Sequence, residues 1–290
     1  MEKEQNNNNW SGKSRGGTFG YAFFVLLIRR LGIRFAYAFL ILVVPYFVLF
    51  APKSSRSIIK YYKRVHNLST ISAFFRLFSH YYTFGQTIID KVAIINGLSN
   101  KYHYEFDNYK EFLSVLDSGA VVMIGAHVGC WDIGATYFGN YASRLNVVLL
   151  DAEHQQIKKN VDTSRFGYKI IALNDNNIES LLKMKKAIDN KEYLCFQGDR
   201  FLAGANNEAV NFFNNKAAFP LGPTLLASKF KTPTVFYFAM REKGMKYRFI
   251  FKTLKAGHSQ KDIMQQYINE LENIVKNYPQ QWFNFFDLWQ

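Results

Sequence analysis

The sequence predicts an α/β fold, in which helices flank a largely parallel central sheet, with an N-terminal hydrophobic helical membrane anchor. Three observations support this prediction. Short apolar runs of strand length recur after residue 118, helix-like polar stretches separate several of them, and a strongly apolar segment stands near the N-terminus. Parallel strands need long crossover connections, usually helical, so alternating strands and helices indicate a parallel sheet.

Six apolar runs have the length of a β-strand: 119–126, 146–150, 168–173, 192–196, 234–240 and 247–251. Polar stretches between them have the composition of helices, namely 154–165, 178–189 and 221–230. Residues 54–100 precede the strands and carry apolar side chains at three- and four-residue spacing, which is typical of helices. We therefore assign residues 53–290 to one α/β domain.

The N-terminal region divides into two parts. Residues 1–18 are polar and rich in Asn and Gly, and we expect them to form a mobile tail. Residues 19–52 form the membrane-anchoring helical segment, whose apolar runs 23–28 and 35–51 surround a basic cluster. The second run is at the short limit for a spanning helix, which needs roughly 17–25 residues, and Pro45 is expected to kink it.

Three interpretations of this segment stay open: a single crossing, an interfacial hairpin that enters one leaflet, or a buried hairpin of a soluble protein. Basic residues flank both ends of the apolar segment, so the positive-inside rule gives no clear asymmetry. Arg and Lys side chains would hold an interfacial hairpin at an acidic lipid surface. The interfacial interpretation is therefore favoured.

The charge balance and the cysteine content restrict the partners. The 290-residue chain has a formal net charge of +14, which predicts attraction to an anionic membrane or an anionic substrate. No nucleic-acid-binding motif accompanies that charge, so we expect no nucleic-acid partner. Two cysteines and six scattered histidines provide neither a disulfide framework nor paired metal ligands. We expect no metal and no other cofactor.

The segment 124–134 (IGAHVGCWDIG) follows a predicted buried strand, where α/β proteins commonly place their sites. In a regular helix, His127 and Asp132 would lie about 140° apart, so they can meet only if His127 precedes the helix. Gly125 and Gly129 permit the tight turn that this requires. A carboxylate beside His127 would fix the imidazole tautomer and make the ring a general base for an alcohol or amine.

Two alternatives to this dyad remain. In the first, His127 is a structural residue of a turn and Asp132 is a surface carboxylate, with no chemistry between them. Cys130 lies three residues after His127 and offers a thiol nucleophile for a Cys-dependent thioesterase or hydrolase. A small buried cysteine is a commoner role than a reactive one, so the general-base hypothesis is favoured.

The segment resembles the His-x4-Asp (HX4D) signature of the lysophospholipid acyltransferase superfamily, and specifically the bacterial lipid A biosynthesis acyltransferases of the late, lauroyl- or myristoyl-transferring type. Four further stretches resemble that family in the same order: 196–200 (FQGDR), 210–223 (containing VNFF and AFPLGP), 231–235 (KTPTV) and 277–283 (NYPQQWF). The last two stretches are expected to be structural.

The resemblance implies a glycerolipid acyltransferase-like fold, an enzyme that transfers acyl groups other than aminoacyl groups, and catalysis by His127 and Asp132. It also implies five substrate-binding residues: Gly198, Asp199, Arg200, Phe219 and Gly222. The implied acyl donor is an acyl carrier protein or coenzyme A thioester, and the acceptor is a membrane lipid. The implied location is the bacterial inner membrane, with the catalytic body facing the cytoplasm.

One departure from the family's pattern bears on the acceptor. Asp132 stands where the lipid A enzymes usually carry Glu and the glycerolipid acyltransferases carry Asp. A lipid A type glycolipid is the expected acceptor, while a lysophospholipid and an aminolipid stay open.

Overall fold

The computed structural model describes residues 17–131, 133–134, 138–150, 167–173, 177–201 and 205–289. Two predictions fall largely or wholly outside these residues: the polar tail 1–18 and the helix 154–165. Four helices open the described chain: α1 (Gly17–Leu31), α2 (Ile33–Phe50), α3 (Pro52–His66) and α4 (Thr70–Ala93). A π-helical turn and a 3-10 turn extend this region to Lys101, as the spacing within 54–100 predicts.

Helix α2 has the composition of a membrane helix. Among the described helices, α2 is long and apolar enough to cross a bilayer, and 22% of its 18 residues are buried inside the protein. The helix continues through Pro45 to Phe50. Its buried side packs along α4, where the Leu40 side chain lies against Gly85. A β-carbon on Gly85 would be 2.8 Å from a Leu40 methyl carbon. The predicted anchor helix α2 is thus packed on the body along part of one face.

The remaining elements alternate as the sequence predicts. They are β1 (His103–Asp107), α5 (Tyr109–Asp117), β2 (Val121–Gly125), β3 (Leu145–Leu150), β4 (Lys169–Leu173), α6 (Asn177–Asp189), β5 (Tyr193–Gln197), β6 (Asn207–Phe212), β7 (Asn215–Pro220), α7 (Gly222–Phe230), β8 (Thr234–Glu242), β9 (Lys246–Leu254) and α8 (Gln260–Asn277). All six predicted strands are present.

Seven strands form one sheet in the order β1-β9-β8-β2-β5-β3-β4, and β6 pairs with β7 in a separate hairpin. Within the large sheet, β8 and β9 pair antiparallel and the other neighbouring strands pair parallel. The apolar runs and polar stretches named above do not include β1, α5, β6, β7 or α8. Strand β1 is at a sheet edge and is partly exposed throughout, so it lacks the continuous apolar run of the central strands.

Both faces of the central strands are covered. Val122 and Ile124 of β2 belong to a core that includes residues of α6, α7 and α8, whereas Val121 and Met123 belong to a second core with residues of α1, α2, α4 and α5. Successive side chains of a strand point to opposite faces, which explains why β2 is apolar at every position. The carboxyl end of β2 is therefore held rigidly between two helical layers.

Candidate active site

His127 lies two residues beyond the end of β2, in a non-helical segment. Gly129 has a φ of +58°, and a β-carbon at this position would lie 2.1 Å from the carbonyl oxygen of Ala239 in β8. That same oxygen accepts a hydrogen bond from the Cys130 N–H at 2.8 Å. The loop therefore lies directly on β8, and only glycine permits the approach.

Two further glycines permit close packing where the carboxyl end of β2 meets its neighbours β8 and β5. A β-carbon on Gly125 would be 2.5 Å from the Tyr237 ring, and one on Gly198 would be 2.6 Å from Ile124. The Gly198 N–H donates to the Gly125 carbonyl oxygen at 2.9 Å, so hydrogen bonding between the two chain segments continues past the strand ends.

This register brings His127 to Asp199. Gly125 of β2 pairs with Gln197 of the parallel neighbour β5, and His127 and Asp199 each stand two residues beyond these partners. His127 Nδ1 is 2.7 Å from Asp199 Oδ1, and the His127 backbone N–H donates to Asp199 Oδ2 at 3.0 Å. His127 is 6% exposed and Asp199 is 2% exposed. Both carboxylate oxygens are thus engaged by one residue in a buried site.

Electrostatics keep this carboxylate ionised. Burial by itself raises the pKa of Asp199, but the attraction and hydrogen bonds of His127 and the charge of Arg200 together hold that pKa below its usual value. An ionised carboxylate only accepts hydrogen bonds, so Nδ1 of His127 is the donor in this contact, and in the tautomer protonated at Nδ1 alone the Nε2 atom is an acceptor. The ring packs edge-on against Trp131, with centroids 4.9 Å apart. The arrangement can hold a general base in one tautomer and one orientation.

The C-terminal segment holds the same loop from the other side. The Phe283 N–H donates to the His127 carbonyl oxygen at 2.9 Å, and the Gly129 N–H donates to the Gln281 carbonyl oxygen at 2.8 Å. Trp282 is buried and forms a β-bridge with Val128. The family-like stretch 277–283 therefore has a structural role that acts directly on the His127 loop.

Arg200 lies beside the His127–Asp199 pair. Its guanidinium donates to the Phe283 carbonyl oxygen and lies 5.8 Å from the centre of the Phe286 ring. The half-buried cation thereby joins the end of β5 to the C-terminal segment, and its positive charge acts on Asp199.

The other predicted site residues have different surroundings. Asp132 lies outside the described residues, so its pairing with His127 stays a prediction. Phe219 is fully buried against Phe212 and Tyr267, and Gly222 is exposed at the start of α7. Their substrate-binding roles stay predictions, as do those of Gly198, Asp199 and Arg200, although the structure brings the latter three to His127.

Cys130 faces the core beneath the loop. The residue is 4% exposed and belongs to the hydrophobic cluster that contains Val121 and Met123. Its thiol is 3.4 Å from the carbonyl oxygen of Thr87 in α4. This position is that of a packing residue rather than of an accessible nucleophile.

Sequence reasoning missed the contact between His127 and Asp199, and the sequence contains part of the signal for it. Gly-Ala-His and Gln-Gly-Asp stand at the ends of two predicted strands, and carboxyl ends of parallel strands meet at one sheet edge. What the sequence lacked was evidence that these two strands are neighbours.

A comparison with known families gives one match that covers most of the chain. The family model described as bacterial lipid A biosynthesis acyltransferase matches residues 80–290, which include β2, β5 and the C-terminal segment around His127. No curated protein matches the chain. Because the family model covers more than two thirds of the sequence, the chain belongs to the bacterial lipid A biosynthesis acyltransferase family.

Proposed function

We propose that this acyltransferase moves a fatty acyl group from an acyl thioester to a hydroxyl or amine of a lipid A type glycolipid, with His127 as the general base. The observation that carries the proposal is the buried His127–Asp199 pair at the carboxyl edge of the sheet. Family membership supports the acyl-transfer chemistry and the lipid A type acceptor.

In the proposed mechanism, Nε2 of His127 removes the proton from the acceptor as its oxygen or nitrogen attacks the thioester carbonyl. The resulting tetrahedral oxyanion collapses, the carbon–sulfur bond breaks, and the leaving thiolate takes the proton from the imidazolium. Asp199 stabilises that imidazolium through Nδ1. A positioned base of this kind contributes about 10²–10⁴ in rate. No covalent enzyme intermediate is required because the acceptor itself is the nucleophile.

Two further residues have proposed roles. Asp132 completes the family's HX4D motif and is proposed as a second carboxylate that acts with His127. Arg200 is proposed to stabilise the developing oxyanion, since a preorganised cation in a water-poor site stabilises charge that appears only in the transition state. Its charge is among the causes that lower the pKa of Asp199, the carboxylate that contacts His127.

We propose acyl carrier protein or coenzyme A as the carrier of the acyl group. Both are anionic, and the net charge of +14 favours encounter with an anionic partner. We further propose that α1 and α2 hold the enzyme at the bacterial inner membrane with its catalytic body on the cytoplasmic side. Supporting this, Leu42 and Leu49 of α2 are 73% and 71% exposed, and exposed arginines stand at the α1–α2 junction.

A lipid analysis of intact cells tests the proposal. A deletion strain is complemented with the wild type, with His127→Ala, or with His103→Ala, whose side chain is 72% exposed in β1. Mass spectrometry of the extracted lipids should show lipid A species lacking one acyl chain in the deletion strain. The wild type and His103→Ala should restore the chain, and His127→Ala should not. Restoration by His127→Ala would refute the general-base role, and loss of an acyl chain from phospholipids alone would refute the acceptor.

A further inference from the structure

A buried carboxylate outside the catalytic loop joins the anchor helix to the sheet. Asp90 of α4 has no exposed surface, and it accepts hydrogen bonds from three tyrosines and one arginine. Those donors come from different parts of the chain: Tyr37 of α2, Tyr102 before β1, Arg241 of β8 and Tyr247 of β9. The ion pair with Arg241 has an Nε–Oδ2 distance of 2.9 Å.

Arg241 keeps its positive charge in this buried position. Burial by itself lowers the pKa of Arg241, yet Asp90 and Tyr37 together raise that pKa above its usual value. The guanidinium also lies 5.3 Å from the centre of the Tyr37 ring. Tyr37 thus contacts both members of the ion pair, so a displacement of α2 disturbs both.

Arg241 connects this cluster to the catalytic loop. Its backbone N–H donates to Gln281 Oε1 at 2.8 Å, and its carbonyl oxygen accepts from Gln281 Nε2 at 2.7 Å. The Gln281 carbonyl oxygen in turn accepts from the Gly129 N–H, two residues after His127. Hydrogen bonds, linked through the covalent structure of Arg241 and Gln281, therefore connect the anchor helix to the loop that carries His127.

We propose that Asp90 is a positioning residue that couples the seating of the anchor helix α2 to the conformation of the His127 loop. The anchor is then a part of the catalytic apparatus and not a tether alone. This inference rests on the proposed function in assigning α2 to the membrane surface. Its consequence is that weakening the contact between Tyr37 and Asp90 slows acyl transfer without weakening attachment to lipid.

Two matched substitutions on the same helix test the coupling. Tyr37→Phe removes one hydrogen bond to Asp90 and leaves the Arg241 ion pair in place, whereas Tyr46→Phe removes a hydroxyl from a side chain that is 58% exposed. Hydrogen exchange of the peptide covering 126–131 is measured in full-length protein on vesicles containing anionic lipid. Tyr37→Phe should increase exchange in this peptide by about tenfold, because a hydrogen bond to a charged group is lost, and Tyr46→Phe should not. Unchanged exchange in Tyr37→Phe would overturn the inference, whether or not the proposed reaction is observed.

Kinetics provide the second measurement. Tyr37→Phe should lower kcat by about tenfold with an unchanged KM for the acyl thioester and unchanged vesicle binding, and Gln281→Met should lower kcat through the same connection. Both substitutions act on the same series of contacts. The decrease in kcat of the double variant should therefore be smaller than the product of the two single decreases. A decrease in kcat equal to that product would show that the two sites are independent and would overturn the coupling. An inactive wild type would instead refute the proposed function. The hydrogen-exchange measurement would still test the coupling in that case, so the two failures can be told apart.

Discussion

The sharpest test of the catalytic geometry is Asp199→Asn. Asp199 accepts two hydrogen bonds from His127, one from Nδ1 and one from the backbone N–H. Asparagine has one acceptor atom and one donor group at the same positions. Placing its oxygen on Nδ1 would set its NH2 group against the backbone N–H, which leaves two buried donors unpaired at a cost of about 1–3 kcal/mol. The opposite orientation satisfies both contacts, but it makes Nδ1 an acceptor and puts the ring proton on Nε2.

Asp199→Asn therefore favours the tautomer that cannot accept a proton from the substrate. That preference alone corresponds to a factor of about 5–150, since 1.4 kcal/mol is tenfold. The imidazolium also loses its anionic neighbour, and an ion pair at about 4 Å is worth about 4 kcal/mol at an effective dielectric of 20. Together these two effects correspond to a factor of about 4 × 10³ to 10⁵. Because a positioned base contributes about 10²–10⁴ in all, we expect kcat to fall by about 10³–10⁴ with the fold retained.

The assay is transfer of a radiolabelled acyl group from a thioester to an underacylated lipid A acceptor in mixed micelles at saturating substrate. Asp189→Asn is the matched control, because it makes the same chemical change at an exposed carboxylate that pairs with Lys185. The control should keep wild-type kcat. An Asp199→Asn enzyme within tenfold of wild type would refute the assignment of Asp199 as the partner of His127.

Three further predictions use other parts of the structure. Gly129→Ala should lower kcat at least 10²-fold and lower the melting temperature, because its β-carbon would meet the Ala239 carbonyl oxygen and displace the loop; a wild-type kcat would contradict this. Cys130→Ala should leave kcat unchanged, and a loss above tenfold would revive a thiol mechanism. Burial lowers the pKa of His80 from 6.5 to about 3. Between about pH 3 and pH 6.5 the unfolded chain therefore binds a proton at His80 that the folded chain does not bind. The folded state accordingly loses stability as the pH falls below 6.5. At pH 5 the free energy of unfolding should be about 2 kcal/mol lower than at pH 6.5, at 1.36 kcal/mol per pH unit. Denaturant unfolding should show this decrease in the wild type and not in His80→Phe. The same dependence of unfolding free energy on pH in both proteins would contradict this.

Much of the fold was predictable because burial leaves a local pattern in the sequence. The runs that became β2, β5 and β8 are apolar at nearly every position, as central strands covered on both faces must be. The hairpin of β6 and β7 was harder to predict, because β6 alternates exposed and partly buried residues outside the main sheet. The short edge strand β1 was not predicted, because it is only partly buried and has no continuous apolar run.

The site was predictable at His127 and less so around it. A histidine directly after a buried strand, between two glycines, is recognisable from the chain alone, and the structure places it outside any helix. Asp90 shows the opposite case, since one acidic residue in a long helix resembles any solvated position. Its burial among three tyrosines depends on segments more than 50 residues before it and more than 150 after it.

The sequence by itself determined where six strands of the main sheet and several helices lie, that an apolar segment precedes them, and that His127 stands at the end of a strand. These features follow from residue periodicity and composition over short stretches of chain. Only the tertiary structure decided that β5 lies beside β2 with Gly125 opposite Gln197, and hence that Asp199 meets His127. Strand order depends on which helices cover each face of the sheet, and that packing is a sum of non-local contacts that no single segment encodes.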